Sequence, residues 1–584
     1  MKCLFKPIAA TTSALLMALL MCCSTDQTNN KSSLDLILKT YQSFQDSIYP
    51  EDGLIDLSEQ AENHRHKFYD SLLEVVHLLP QQDLTNSEII TKKLLEYTLQ
   101  NKVDQFTYHM NENGLLTDAG FHISLTYMPG SLAFLTKKDY NNYLNKLKEI
   151  GRYVDQNIDL LREGMANGIV QPKVIFNGYE DTYRAHIVSN PKTSVFYKPF
   201  SHFPVSFTNQ QKETLRLRAQ TVITNVVVPA YKRVANFLEG EYFPSCRESL
   251  GASSLPNGKE FYQNRIRYFT TLPLTADSIH RLGLSEVHRI KKEMIQVIDE
   301  VGFKGNFREF LTYLRNDPRF YAPTALDLLK DAAYIAKTMD GKLPSLFGKL
   351  PRLPYTVEPV PDFLAPKYTG GRYVEPAEGG KVPGKYWVNT YDLKSRPLYV
   401  LTALTLHEAV PGHHLNMALT MELDHLPKFR KTLYLSAFGE GWGLYSEYLG
   451  LETGMYKDPY DNFGRLTYEM WRACRLVVDT GIHAFGWTRQ QAIDFLADNT
   501  ALSMHEINTE VDRYIAWPGQ ALSYKIGELK IKALRQKASK LLGDKFDVRK
   551  FHDVVLSEGS VTLPILEEMV NRYIDQSLSE EKKG

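Results

Sequence analysis

The sequence predicts a mainly α-helical protein: a large helical body around a deep cleft, with a small β-sheet near residues 360–390. Three observations carry this prediction. Apolar residues recur at three- and four-residue spacing over most of the chain. No internal repeat or low-complexity tract interrupts that pattern. One stretch, 351–383, is instead rich in Pro, Gly and Tyr, and it leads into the best strand candidate, 385–390, which is aromatic and β-branched.

Composition narrows the function classes. Of 584 residues, 43% are hydrophobic and 23% charged, which excludes disorder, collagen and coiled coil as the main state. Lys plus Arg and Asp plus Glu are both 68, so there is no electrostatic footprint for nucleic acid. Three of the five cysteines lie within the first 23 residues, leaving Cys246 and Cys474 in the body, either as a disulfide or as two buried thiols.

The N-terminus reads as an address. Lys2 and Lys6 precede an apolar run over 8–21, too short for a membrane span of about 20 residues and suited to a signal peptide. It ends in Leu20-Met21-Cys22-Cys23, which resembles a bacterial lipobox. Cys23 is then the lipidated residue, because the position before it is the small Cys22 rather than Met21. Residues 1–22 are the expected lipoprotein signal and 23–34 a linker. The mature chain is expected in the bacterial cell envelope, held to a membrane by acyl chains.

Beyond the linker, 35–270 is expected to form an N-terminal helical part and 271–584 a C-terminal metal-binding part, with only a soft boundary between them. In the first, 212–238 runs long without a breaker until Pro229. In the second, a helix is expected to start at 274–280 with Thr275 as N-cap, and another to follow over 285–301. Pro397 can open a helix over 398–410.

That helix carries the chemistry. It is apolar until His407-Glu408, after which the chain reads Ala-Val-Pro411-Gly412-His413-His414. Zinc hydrolases commonly place two His four apart on one helical turn, with Glu after the first, but the fourth position here is Pro411. On an unbroken helix His413 lies on another face from His407, and His414 sits about 10 Å further along the axis. Zn–N bonds are about 2.0–2.1 Å, so neither pair could share a metal. Pro411 has no N–H for the carbonyl of His407, so the helix must break or bulge there. Gly412 tolerates the backbone a bulge needs. A two-residue bulge brings His413 beside His407; a three-residue loop-out selects His414 instead. His413 is the expected second ligand.

A hydrolytic zinc site usually has three protein ligands and one open position. Glu440, in Phe438-Gly-Glu-Gly-Trp442, is the expected third, with Glu447 seven residues on as a supporting or structural group. The segment 438–450 resembles the N-E-G-F-A-x-Y-x-E stretch of aminopeptidase-N-like gluzincins, in which the first Glu binds zinc. Glu440 matches that position.

Four motifs together are distinctive: HEAVPGHHL over 407–415, Glu440-Gly-Trp, VVDTGIHAFGWT over 477–488 and RYIAWPGQALSYKIG over 513–527. They resemble the bacterial domain of unknown function family 885, along a single domain of about 35–580. The resemblance implies a largely helical, gluzincin-type metallopeptidase-like fold, one zinc per chain and frequent lipoprotein anchoring; it implies no particular substrate.

The expected chemistry is hydrolysis of an amide bond in a short peptide, as a carboxypeptidase, dipeptidase or oligopeptidase. Glu408 is the general base, and a Tyr, His or Arg steadies the oxyanion. Tyr524 after a Pro-Gly turn and His483, four residues after Asp479, are the catalytic candidates. Arg513 could grip a substrate carboxylate, although it could equally pair with Glu510. Tyr386 and Trp387 could line subsites if strand 385–390 is an edge strand that pairs with substrate. Two other readings stay open: a zinc amidase or deacylase on a non-peptide amide, and a non-catalytic envelope lipoprotein retaining the fold.

Overall fold

A computed structural model describes residues 30–362, 364–376 and 383–579. The signal sequence, Cys23 and part of the Pro/Gly-rich stretch lie outside the described residues. The first three helices, α1 (Asn30–Ile48), α2 (Glu59–Leu78) and α3 (Asn86–Thr107), close a small core of their own. Leu34, Ile37, Phe68, Leu72, Val76 and Leu99 meet there at helical spacing. Thr85 and Glu88 form a reciprocal capping box that starts α3.

α4 (Lys137–Ala166) buries Tyr140, Leu144, Leu147, Val154, Ile158 and Leu161 in the largest core. That core draws on residues from Leu115 to Ala332 and from Tyr386 to Ala521, and so crosses residue 270. The segment 209–245 stays helical straight through Pro229. A wide turn over Ile223–Val227 directly precedes it, with the Val228 N–H reaching Ile223 O. The ladder is already loosened where proline offers no N–H, so the ring finds room without breaking the helix.

The starts expected at 274–280 and 285–301 belong to one helix, α5 (Ala276–Glu300), capped by Thr275 and Ser278. Gly283, inside that helix, is a packing site. A Cβ there would come within 2.7 Å of Val477 and 2.8 Å of Leu476.

The sheet has three strands, β1 (Tyr355–Pro359), β2 (Gly371–Val374) and β3 (Gly384–Val388), in the order β1-β3-β2. β1 runs parallel to β3, with Thr356 opposite Lys385. β2 runs antiparallel to β3, with Arg372 opposite Trp387 and Tyr373 opposite Tyr386. The strand expected at an edge, 385–390, is therefore the middle one. Its alternating Tyr386 and Val388 are almost fully buried because the face they share packs into the core. The edges are β1 and β2, both from the Pro- and Gly-rich stretch.

The site is built by six further helices, α6 (Leu401–Glu408), which packs against β2, α7 (His413–Met421), α8 (Ser436–Glu452), α9 (Pro459–Phe485), α10 (Met504–Ala516) and α11 (Ser523–Leu542). α9 is the spine of the C-terminal half: every residue from Phe463 to His483 is buried, charged ones included. Cys246 and Cys474 are both buried free thiols.

Candidate metal centre

α6 ends at Glu408, and α7 restarts at His413. Ala409 leaves helical geometry at φ −93°, ψ −109°, and Gly412 does so at φ −76°, ψ −128°. Neither angle demands glycine. What demands it is space, since a Cβ on Gly412 would lie 1.9 Å from the His407 carbonyl oxygen. The His414 N–H reaches back to the Ala409 carbonyl at 3.1 Å, and the Trp442 indole N–H donates to the Pro411 carbonyl at 2.8 Å. The bulge is thus held from both sides.

The bulge decides between the two histidines. His407 and His413 meet with ring centroids 4.8 Å apart and nearly perpendicular. His414 turns the other way, with Nδ1 3.0 Å from the Tyr373 hydroxyl and its ring 4.5 Å from that of Tyr355. Burial in this aromatic pocket pulls the His414 pKa down to about 4.

α8 supplies the third group. Glu440 Oε2 lies 3.3 Å from His407 Nε2 and 3.4 Å from His413 Nε2. Those separations are long for a charge-assisted N–H···O⁻ bond, which runs about 2.7–2.9 Å. They match the edge of a tetrahedron with zinc at its centre, about 3.3 Å for bonds of about 2.05 Å. Glu408 also brings a carboxylate oxygen within 4.8 Å of the ligand nitrogens of both His407 and His413. Its Oε2 is committed, however, to the Tyr373 backbone N–H at 2.7 Å. Glu440, with a single oxygen shared between both Nε2 atoms, is the better third ligand, and Glu408 stands beside the site.

The surroundings orient these groups. His407 Nδ1 sits 2.8 Å from Glu447 Oε1, which points Nε2 at the site. Arg472 backs Glu447 at 3.5 Å. The Tyr434 hydroxyl donates to the other oxygen of Glu440 at 2.7 Å. Gly443 makes room for the imidazole, because a Cβ there would lie 2.6 Å from the His407 ring. Burial raises the Glu440 pKa, but the His413 and His407 imidazoles more than offset that and hold the carboxyl well below its ordinary range. Burial lowers that of His407, yet hydrogen bonds to Glu440 and Glu447 and the charge of Glu408 push it up to about 10. Three carboxylates, Glu408, Glu440 and Glu447, thus surround the two imidazoles, with Arg472 beside Glu447. Two imidazoles and one carboxylate are a donor set that suits zinc.

The other expected residues divide. The Tyr524 ring lies 6.5 Å from that of His407 and 4.2 Å from the Arg475 guanidinium. Its hydroxyl has one contact, a donation from Gln520 at 3.5 Å, so its own proton is uncommitted. Arg513 is tied to Gln520 at 3.0 Å and to Glu510 at 3.5 Å. His483 is not brought to the centre. Its Nδ1 accepts from the Ala252 N–H at 3.0 Å, and its Nε2 lies 2.9 Å from the Tyr514 carbonyl. Both nitrogens are used in packing the spine against its neighbours. Asp479 likewise takes the Tyr262 hydroxyl at 2.6 Å and the Gly519 N–H, and Arg475 pairs with Glu510 rather than with Asp479. Tyr386 is fully buried and points to Thr405 at 3.2 Å, on the side away from any subsite. Trp387 stays half-buried on the opposite face, its ring 6.2 Å from that of Tyr368. Sequence reasoning did not single out Tyr434 or Tyr373. Tyr434 precedes the helix of Glu440, and Tyr373 acts through its backbone, so neither had a spacing signal to find.

The chain belongs to the family described as bacterial protein of unknown function (DUF885), whose model matches residues 37–570. No curated protein matches it. Among solved structures it is similar to "the putative lipoprotein from Colwellia psychrerythraea", at 29% identity and a TM-score of 0.86 over 94% of this chain and 100% of that one. It also resembles "a putative lipoprotein of unknown function from Shewanella oneidensis", at 16% identity and a TM-score of 0.67 over 92% of this chain and 99% of that one. The second likeness is one of fold.

Proposed function

We propose that this protein is a zinc-dependent hydrolase that cleaves amide bonds of short peptides at the bacterial cell envelope. The observation that carries the reading is the placement of one Glu440 oxygen at 3.3 and 3.4 Å from two histidine nitrogens, separations that fit two edges of a tetrahedral zinc site. The envelope assignment rests on the lipobox-like Cys23 and on the relatives described as putative lipoproteins.

His407, His413 and Glu440 would hold one zinc, as in gluzincins. Bound zinc supplies Lewis-acid activation of water and of the scissile carbonyl. Glu408 stands beside that position with Oε2 fixed by the Tyr373 N–H, which leaves Oε1 to take the proton from the attacking water. The same carboxyl then returns the proton to the leaving amine, so that amide and water become acid and amine. Tyr524, with its uncommitted proton, is the donor to the developing oxyanion, while Tyr434 spends its own proton on Glu440 and holds that carboxylate in place. Trp387 offers an aromatic wall.

The test is metal content of the detergent-solubilised full chain by elemental mass spectrometry, wild type beside Glu440→Ala. The expected result is about one zinc per wild-type chain, with clear loss in the variant and an amidase activity on mixed short peptides that a chelator abolishes. No zinc in either protein after metal is added back would sink the reading.

A further inference from the structure

The centre lacks an assigned group for the substrate's own charge, and β2 offers one. Tyr373 points its side chain into the core, 5% exposed, while its amide holds Glu408. Side chains alternate along a strand, so Arg372 projects from the opposite face. Cross-strand partners share a face, so Arg372 lies with Trp387, and the Tyr368 ring flanks that same tryptophan.

The Arg372 side chain is exposed and, among the described residues, forms no ion pair with a carboxylate. It is nevertheless within electrostatic reach of the centre. Its surroundings partly desolvate the guanidinium and pull its pKa down, but Tyr368 and Glu408 outweigh that and keep it charged, with Tyr434 adding in the same sense. The neighbouring guanidinium groups are already committed. Arg513 is held by Gln520 and Glu510, Arg475 by Glu510 at 2.8 Å, and Arg472 by Glu447. A charged guanidinium one residue from the strand position that fixes the base, and free of any carboxylate, is a fork presented to a ligand carboxylate.

We propose that Arg372 binds the C-terminal carboxylate of a peptide substrate, which makes the centre select peptides with a free C-terminus and release one or two residues from that end. The short reach follows from position: an extended chain advances about 3.5 Å per residue, and Arg372 is adjacent in sequence to the residue that holds Glu408. Trp387 and Tyr368, on the same face, would flank the terminal side chain. This inference rests on the peptidase reading for its chemistry, but the binding it asserts can be tested without turnover.

The experiment uses the full chain and an equimolar mixture of Ala-Xaa-Xaa tripeptides, supplied as free acids and as C-terminal amides. Binding is measured on Glu408→Gln by ultrafiltration and mass spectrometry, and hydrolysis on wild type by product analysis. Free acids are expected to be retained about ten- to a hundredfold more tightly than amides, the scale of a charge-assisted bidentate pair. In Glu408→Gln carrying Arg372→Gln as well, the ratio should fall to near one, and Arg372→Lys should restore part of it. Thermal melts check that the variants fold, which the exposed position favours. Equal retention of acids and amides, no retention of either, or an unchanged ratio in Arg372→Gln would overturn the assignment. Selective retention that depends on Arg372, without any hydrolysis by wild type, would uphold Arg372 and defeat the peptidase reading instead.

Discussion

The helix α4 with the segment 209–245, on one side, and the spine α9 with its partners, on the other, treat charge in opposite ways. Around α4 the ion pairs are surface pairs, such as Arg233–Asp155 at 2.7 Å with side chains 42% and 54% exposed. Around α9 they are buried. Lys525 is fully buried between Glu528 at 2.6 Å, Glu469 at 2.7 Å and Glu286 at 3.1 Å, and Glu469 is also bonded by Arg289 and Arg465. Exposed pairs gain little over water. Buried ones are costly to assemble and offer no clear advantage over apolar packing. A chain that concentrates them along one helix is using them for position. Arg472 on α9 backs Glu447, which turns His407 toward the candidate metal position. The contrast shows where in this fold geometry is being held at the expense of stability.

The strongest way to sharpen the contrast is to separate chemistry from scaffolding within the buried set. Glu408→Gln should lower hydrolysis by about 10²–10⁴-fold, the usual worth of a general base. Zinc content and melting temperature should change little, because the amide side chain can still accept from the Tyr373 N–H. Retained activity would show that Glu408 is not the base. Lys525→Met should do the reverse. Three carboxylates would be left around an apolar side chain, so stability measured by denaturant should fall by about 3–5 kcal/mol, the range for removing one partner of a buried pair. A loss under 1 kcal/mol would mean that the spine's charges are no more demanding than surface ones, and the comparison would fail.

Glu447→Gln tests the link between spine and centre. An orienting carboxylate behind a metal-bound histidine typically carries about 10–100-fold in metal affinity. That loss, read by competition with a chelator, is expected here with the fold intact. Unchanged affinity would confine Glu447 to packing.

How much of this was legible in the sequence depends on the kind of signal each feature leaves. Helices with apolar stripes were legible, as was the break that Pro411 and Gly412 impose. So was the proximity of His407 to His413, because it follows from ring and backbone constraints within seven residues. Glu440 was legible through the likeness of 438–450 to a gluzincin segment, and Glu447 through its seven-residue spacing from Glu440. Partner choice was not. Arg475 could have met Asp479 on its own helix, but Tyr262 and Gly519 reach Asp479 from other elements and Glu510 takes the arginine. His483 carries the same ring as a catalytic histidine, and only the fold shows both nitrogens occupied. Strand order was hidden as well. The aromatic strand announced itself by composition and took the middle of the sheet. The glycine-rich strand beside α6 had nothing to distinguish it from a loop.

The smallest expected effect closes the comparison from the other side. Asp155→Ala removes the carboxylate from an exposed pair whose arginine keeps its contact with the Gly151 carbonyl. The arginine returns to water at almost no cost, so stability should change by about 0–1 kcal/mol and less still at high salt. Zinc content should not move at all. A loss as large as that of Lys525→Met would require Asp155 to hold α4 against the segment 209–245 far more firmly than two half-exposed side chains can. The division between a solvent-screened half and a charge-built half would then have to be redrawn along packing lines rather than electrostatic ones.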